Sequence, residues 1–186
     1  MELIRQIEAY APFNEQEARD KDELLRRLKS GEELFERSNL SAHMTASAWI
    51  VNSERTQVLM AYHNIYDSWA WLGGHADGER DLLQVALKEA REESGLVDVR
   101  PVTGEIYSLE ILTVSGHEKK GQYVPSHLHL NLTYLLEADP GQALHMKADE
   151  NSGVKWFAPE DAIAASTEAW FRERIYPKLN AKLKMV

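Results

Sequence analysis

The segment GGHADGERDLLQVALKEAREESGL, residues 73–96, restricts the fold more than any other part of the chain. It opens with two glycines and continues in a helical pattern that Asp81 can cap at its start and Gly95 at its end. At about 100° per residue, apolar side chains of the first half share one helix face with three acids of the second half. These acids are Glu89, Glu92 and Glu93. Because the acids continue an apolar face, the pattern predicts a packed helix with carboxylates at its edge.

The three carboxylates repel one another, and the negative end of the helix dipole adds to this repulsion. A solvated charged face is one interpretation of the pattern. A bound divalent cation is the other, because carboxylate oxygens can share Mg²⁺ and leave positions for phosphate oxygens and water. The glycine pair lets the backbone approach the same site without obstruction by side chains.

The spacing resembles the Nudix box, whose pattern is Gly, five residues, Glu, seven residues, then Arg-Glu-apolar-x-Glu-Glu-x-Gly-apolar. The matching residues stand at fixed offsets: Gly74, Glu89, Ala90, Glu92, Glu93, Gly95 and Leu96. Two positions differ from the family pattern, since Lys88 replaces the arginine and Arg80 stands where the first glutamate is expected. Lysine keeps the positive charge but loses the bidentate geometry of arginine.

The resemblance extends over about residues 41–165 and implies an α/β fold, a Nudix-like α/β/α sandwich with a mixed central β-sheet. Strand patterns agree with this fold, among them MTASAWIVN, TQVLMAYHN and SHLHLNLTYLLEA. We divide the chain into an N-terminal helical extension, residues 1–40, and a Nudix hydrolase domain, residues 41–186. The polar HEKKGQ predicts a loop, and Pro177 predicts a kink or stop in the C-terminal helix.

The N-terminal extension contains one well-defined helical pattern. Asn14 and Glu17 form a capping-box pair, and EARDKDELLRRLKSG predicts an amphipathic helix that ends at Gly31. Three leucines form its apolar face: Leu24, Leu25 and Leu28. This face predicts packing within the chain, and contact with a second copy makes a homodimer a further hypothesis.

The resemblance also implies the chemistry: a hydrolase that cleaves a phosphoanhydride, in a diphosphate linked to another moiety such as part of a nucleotide. Mg²⁺, with Mn²⁺ as an alternative, would be held by four residues: Gly74, through its carbonyl, Glu89, Glu92 and Glu93. The cation neutralises the diphosphate and activates water for attack on phosphorus, while a carboxylate takes the proton. The candidate catalytic residues are Glu92, Glu93 and an acid from a distant loop, where ADENSG offers Asp149 and Glu150 and we choose Glu150. A turn acid in a polar loop is the other interpretation of Glu150.

Substrate contacts are predicted on both sides of the box. His75 follows the glycine pair directly, and Lys88 supplies a positive charge. Trp69 and Trp71 share a strand face ahead of the glycines, so one is expected in the core and the other, assigned as Trp71, on a flat group of the substrate.

Alternating residues in SHLHLNLTYLL give the remaining predicted substrate contacts. Its polar side chains form either a solvent-facing side or the floor of a cleft that contacts substrate: His127, His129 and Asn131. The His-x-His pair could instead hold zinc, but the sequence offers no convincing third ligand. His43, at the start of a strand, is ambiguous.

Composition excludes several other classes of protein. A formal net charge of −9 argues against nucleic acid and anionic membranes as partners, so a small molecule is expected. The sequence has no long apolar run and no apolar signal core, which predicts a cytoplasmic protein. It has no cysteine, unlike the isopentenyl diphosphate isomerases that share the Nudix fold. The departures at Lys88 and Arg80 leave one alternative function, a nucleotide-binding sensor or scaffold without turnover.

Overall fold

The central strand of the protein lies between two layers of helices. The computed structural model describes residues 2–119 and 121–186. In it, β1 (Ala42–Val51) pairs in parallel with β9 (His127–Ala138) and antiparallel with β2 (Val58–His63) and β4 (Leu72–His75). The parallel pair makes the sheet mixed, as the sequence predicts.

In the described residues the main sheet has eight strands in the order β10-β2-β1-β9-β5, with β3, β4 and β6 paired to β2, β1 and β9. The remaining strands are β3 (Ser68–Ala70), β5 (Val99–Pro101), β6 (Ser108–Val114), β7 (His117–Lys119), β8 (Gln122–Val124) and β10 (Asn151–Phe157). The helices are α1 (Glu2–Ala9), α2 (Glu15–Lys29), α3 (Leu82–Ser94), α4 (Pro159–Ala165) and α5 (Tyr176–Leu183).

Side chains of β1 alternate between two hydrophobic cores, which explains the three layers. Met44 and Ala46 belong to the core that also contains buried residues of α1, α2 and α3. Trp49 belongs to the core formed with α4 and α5, and its ring stacks on Tyr176 with centroids 5.3 Å apart. The predicted α/β/α sandwich with a mixed sheet is therefore confirmed.

The N-terminal extension packs on the first of these cores. Asn14 caps α2 by accepting a 2.9 Å hydrogen bond from the Glu17 backbone N–H, and the helix ends at Lys29, two residues before the expected Gly31. Leu24 is fully buried in the core shared with the sheet. Because the leucine face packs within the chain, a homodimer would need another surface. The homodimer itself stays a prediction.

Helix α3 has both predicted caps. The Asp81 side chain accepts hydrogen bonds from the backbone N–H groups of Leu83 and Gln84, and Gly95 adopts a left-handed φ of 73°. The caps fix where the helix starts and stops, and they hold its acidic residues in register with β4.

Two local predictions are corrected. Part of HEKKGQ is an antiparallel hairpin, β7 with β8, although Lys120 lies outside the described residues. The helix also does not stop at Pro177: a π-helical segment, Phe171–Ile175, leads directly into α5. Pro177 stands in the first turn of α5, where a missing N–H is tolerated. Within the described part of the chain, no helix is both long and apolar enough to span a membrane.

Candidate active site

Three carboxylates meet where α3 lies against the glycine pair of β4. Glu89 and Glu93 stand one turn apart on the buried face of α3, and Glu150 comes from the loop before β10. One carboxylate oxygen of each lies within 4.8 Å of the others, the arrangement of a metal-binding group. The loop acid predicted from the sequence therefore reaches the helix acids.

Glu92 is not a member of this group, although it shares lysine partners with Glu89 and Glu150. Its side chain is 42% exposed and lies beside two lysines, with Lys88 Nζ at 3.9 Å and Lys147 Nζ at 3.5 Å from its oxygens. Lys147 also contacts Glu150 at 3.0 Å. The structure thus separates the predicted helix acids into two that face inward and one that forms part of a charged rim.

The two glycines of β4 are required because neighbouring atoms of α3 and β1 lie too close to leave room for a side chain. A Cβ atom on Gly74 would lie 2.6 Å from the carboxyl carbon of Glu89, and one on Gly73 would lie 2.6 Å from the carbonyl oxygen of Ala46. The Gly73 backbone N–H donates a 3.1 Å hydrogen bond to Glu93 Oε2. A side chain at Gly74 would push β4 away from Glu89 of α3, and one at Gly73 would collide with β1.

Burial sets the electrostatics of the acidic cluster. Burial, and after it the charge of the neighbouring Glu89, raises the pKa of Glu93 to about 8, against the lowering effect of the hydrogen bond from Gly73. Burial likewise raises the pKa of Glu89, while Lys88 lowers it. A cation between these groups reverses the shift by stabilising their charged forms. Oxygen donors alone, in a buried carboxylate cluster, fit a hard divalent cation such as Mg²⁺.

A cavity of about 320 Å³ is lined by residues of β4, of the loop after it and of α3, among them His75, Asp77, Lys88 and Arg91, and none of the clustered acids borders it. The Lys88 ammonium is 3.7 Å from a Glu89 oxygen, while its side chain remains 63% exposed. Lys88 therefore lies between the cavity and the acidic cluster, while Asp77 and Glu79 give the cavity wall negative charge as well.

Three of the predicted substrate contacts lie in a histidine cluster, which we define as His43, His75, His127 and His129. Neighbouring ring centroids in this cluster are 4.7 to 5.1 Å apart. Burial, followed by repulsion from His75, lowers the pKa of His129 to about 2, so this ring is neutral. Sequence reasoning did not place His43 in the cluster. The signal is its position at the start of β1, opposite His129 in the parallel register.

Trp71 and Asn131 lie outside the cavity lining and are engaged inside the protein. Trp71 packs edge-on against Phe171 and Tyr176, at centroid distances of 5.6 and 6.0 Å. Asn131 is 1% exposed, and its carbonyl oxygen accepts 2.9 Å hydrogen bonds from Thr45 and Ser47. Both side chains thus have partners within the protein, packing for Trp71 and hydrogen bonding for Asn131, and their contact with substrate stays a prediction.

The departure at Arg80 is explained by the N-terminal extension. The Arg80 guanidinium lies 4.6 Å above the ring of Phe35 and 3.3 Å from a carboxylate oxygen of Glu33. A second cavity, of about 390 Å³, is lined by Arg80 together with residues of the extension, and none of the clustered acids borders it. Glu79 accepts hydrogen bonds from the N–H groups of Arg80 and Asp81 and so supports the start of α3.

Comparisons with known proteins agree with this architecture. The Ap4A hydrolase of C. elegans, in a binary complex, superposes with a TM-score of 0.54 at 19% identity and covers 77% of this chain and 98% of its own. The E. coli dihydroneopterin triphosphate pyrophosphohydrolase has a TM-score of 0.54 at 15% identity, covering 78% and 97%. A Nudix-family hydrolase from Clostridium perfringens has a TM-score of 0.51 at 22% identity, covering 77% and 97%.

No curated protein matches the sequence. The family model described as NUDIX domain matches residues 42–179, which is most of the chain and includes the whole of the α3 segment. The match leaves the helices α1 and α2 outside it. On this match, the chain belongs to the Nudix family of hydrolases.

Proposed function

We propose that the protein is a Mg²⁺-dependent hydrolase of phosphoanhydrides that acts on a small-molecule diphosphate derivative of a nucleotide, with Mn²⁺ as an alternative cation. The observation that carries the proposal is the convergence of Glu89, Glu93 and Glu150, whose oxygens lie within 4.8 Å of one another. Lys88 lies 3.7 Å from a Glu89 oxygen and lines a nearby cavity together with Arg91, Asp77 and Glu79, so it offers a positive charge to an anionic substrate at the edge of the cluster.

The cation would be held by Glu89, Glu93 and Glu150, and the Gly74 carbonyl is a further proposed ligand. When bound, such a cation neutralises the negative charge of the diphosphate and makes water a better nucleophile. Glu92 is proposed to act as a positioning residue, because its carboxylate is beside Lys88 and Lys147 and is not part of the inner group.

Glu150 is the proposed proton acceptor. Its side chain is 41% exposed, so water can reach it, and it still belongs to the inner carboxylate group. Glu93, by contrast, is buried and accepts a hydrogen bond from the Gly73 N–H. A base has to lie within hydrogen-bond reach of the water whose proton it removes, and the exposed acid meets this requirement better.

Lys88 is proposed to bind the substrate phosphates. It lines the cavity and lies near the oxygens of both Glu89 and Glu92. A lysine acts as a point charge and does not impose the paired geometry of an arginine, so it tolerates different phosphate positions. Lys88 stands where the family pattern has arginine. We therefore expect this difference to change which substrates are cleaved and not to abolish hydrolysis.

Chromatographic detection of the cleavage products from a panel of phosphoanhydride-containing nucleotide derivatives, with and without Mg²⁺, tests the proposal. The panel should include Ap4A and dihydroneopterin triphosphate, for which the two similar enzymes are named. Turnover that requires the cation and is lost in Glu93→Gln supports hydrolysis. Tight nucleotide binding without turnover of any compound would instead identify a sensor or scaffold.

A further inference from the structure

The histidine cluster lies on the opposite face of the sheet from the carboxylates. Side chains alternate along β1, so His43 faces away from Met44, which belongs to the core beneath α3. The strand registers then place His129 beside His43, and His75 beside Thr45, on this same face. Three strands therefore bring imidazoles to one place on this face, and His75 also borders the cavity that Lys88 and Arg91 line.

The geometry within this cluster is that of a ligand set. His43, His75 and His129 each offer a ring nitrogen, and these atoms all lie within 4.8 Å of one another. Zinc–nitrogen bonds of about 2.0–2.1 Å in a tetrahedral site place ligand nitrogens roughly 3.4 Å apart. Ring movements of about 1 Å, without any change of strand register, would close this difference.

The hydrogen bonds of His43 leave one nitrogen without a partner. Its Nδ1 lies 3.0 Å from the Asn39 carbonyl oxygen, so this nitrogen carries the proton and donates it. Its Nε2 is buried and has no hydrogen-bond partner among the described residues, and the residue as a whole is only 5% exposed. An unsatisfied buried acceptor is unfavourable, and metal-binding histidines typically donate their second N–H to such a carbonyl.

His127 has the same arrangement next to the ligand set. Its Nδ1 donates to the Pro125 carbonyl oxygen at 2.8 Å, which leaves Nε2 as the acceptor. That atom lies 3.2 Å from Nε2 of His129. His127 therefore accepts a hydrogen bond from His129 and fixes the orientation of its ring, as outer partners of metal ligands commonly do.

We propose that His43, His75 and His129 bind a divalent transition-metal ion, with Zn²⁺ as the best match, at a site separate from the carboxylate site. Imidazole nitrogens favour zinc and related metals, whereas Mg²⁺ favours oxygen ligands, so the two sites select different cations. Three protein ligands leave a fourth position for water or another ligand. The inference uses only the histidine geometry and stands whether or not the chain hydrolyses phosphoanhydrides.

Metal titration of the full chain tests the site. After removal of metals with EDTA, Zn²⁺ is titrated by calorimetry in the presence of excess Mg²⁺, which occupies the carboxylate site. We expect about one equivalent of Zn²⁺ to bind and to remain after gel filtration. Co²⁺, used in place of Zn²⁺, should give the visible absorption bands of a nitrogen-coordinated ion.

Variants identify the ligands. Zn²⁺ affinity should fall at least tenfold in His43→Gln, His75→Gln and His129→Gln. It should be unchanged in His145→Gln, an exposed histidine outside the cluster, and in Glu89→Gln, which removes a carboxylate from the other site. His75 is half-buried, so its variant remains informative even if the buried His43→Gln does not fold.

Three results would overturn the proposal. The first is failure of the parent protein to retain Zn²⁺. The second is equal Zn²⁺ affinity in the parent and in a folded His75→Gln variant. The third is loss of Zn²⁺ binding in Glu89→Gln together with its retention in His75→Gln. The last would show that the added metal binds at the carboxylates.

Discussion

Gly74 and His75 are neighbours in β4 and face opposite sides of the sheet. Gly74 lies against the Glu89 carboxylate, while the ring of His75 lies 5.0 Å from that of His43. The strand therefore separates a carboxylate cluster from a histidine cluster by the alternation of its side chains. A change at Gly74 should consequently disturb the first cluster and leave the second in place.

Gly74→Ala is the direct test of this separation. The new methyl group would lie 2.6 Å from the Glu89 carboxyl carbon, so strand and helix have to move apart. We expect a loss of stability of about 1–3 kcal/mol, as for other overpacked sites, and weaker Mn²⁺ binding at the carboxylates. Urea unfolding and a Mn²⁺ titration measure the two effects.

Gly104→Ala is the matched control, because nothing lies within 4 Å of the position of its Cβ. Its stability should stay within about 0.5 kcal/mol of the parent. Equal Mn²⁺ affinity in Gly74→Ala and Gly104→Ala would show that the approach of β4 to Glu89 is unimportant for the cation.

Glu93→Gln and Glu92→Gln separate the inner carboxylates from the rim. Glu93 is buried within the inner group, and its loss should lower kcat/KM on a turned-over substrate by about 10²-fold or more. Glu92 makes only exposed ion pairs, worth less than about 1 kcal/mol each, so its loss should cost about tenfold or less. Steady-state kinetics at saturating Mg²⁺ distinguish the two. A loss in Glu92→Gln as large as that in Glu93→Gln would reject the positioning role given to Glu92.

Helix α3 could be predicted because its signals are local. The caps, the apolar face and the acidic residues all lie within one continuous segment of the sequence, and the helical repeat relates their positions to one another. The family resemblance supplied the expectation of a catalytic acid from a distant loop. Glu150 met this expectation because it lies in the polar loop just before the short predicted strand VKWF. Its proximity to Glu89 depends on how β10 pairs with β2, which the sequence does not display.

The histidine cluster could not be predicted because strand register determines it. His43 and His129 are far apart in sequence and meet only because β1 and β9 run in parallel. The hydrogen-bond partners of Asn131 could not be predicted for the same reason. The alternation of residues in β9 correctly identified a polar face. The hydroxyl groups of Thr45 and Ser47 donate hydrogen bonds to the Asn131 side-chain oxygen, and these residues belong to β1, a different segment of the sequence.

The raised pKa of Glu93 predicts a pH dependence of stability in the metal-free protein. Burial raises this pKa from 4.5 to about 8, so the folded protein favours the protonated acid. Its contribution to stability is complete below about pH 4.5 and is lost as the pH rises through about 8. Glu93→Gln stays neutral and should gain stability relative to the parent over this range, by about 4 kcal/mol at most.

Urea unfolding in EDTA at several pH values between 5 and 8 measures this difference. Addition of Mg²⁺ near pH 8 should stabilise the parent protein and leave Glu93→Gln almost unchanged, because the cation binds the charged acid. Parallel stability curves for the parent and Glu93→Gln over the whole range would contradict the assignment of the raised pKa to Glu93.

A buried ion network ties the N-terminal extension to the C-terminal helix, and Lys178 is its centre. The Lys178 Nζ lies 2.9 Å from Glu110 and 3.2 Å from Glu17, and the three side chains are at most 2% exposed. Lys178→Met leaves Glu110 buried without its cation, whereas Glu17 keeps Lys182 at 3.2 Å. We expect a loss of about 3–5 kcal/mol in the free energy of unfolding, since an uncompensated buried charge remains.

The second substitution Glu110→Gln, made in the Lys178→Met background, should restore part of this loss, because it removes the uncompensated charge and keeps most of the side-chain volume. Lys184→Met, at an exposed position just after α5, should stay within about 0.5 kcal/mol of the parent. Urea unfolding of the four proteins measures these terms. If Lys178→Met is no less stable than Lys184→Met, the network does not stabilise the contact between the extension and the C-terminal helix, and the packing of Leu24 and its neighbours in the other core holds the extension on the sheet.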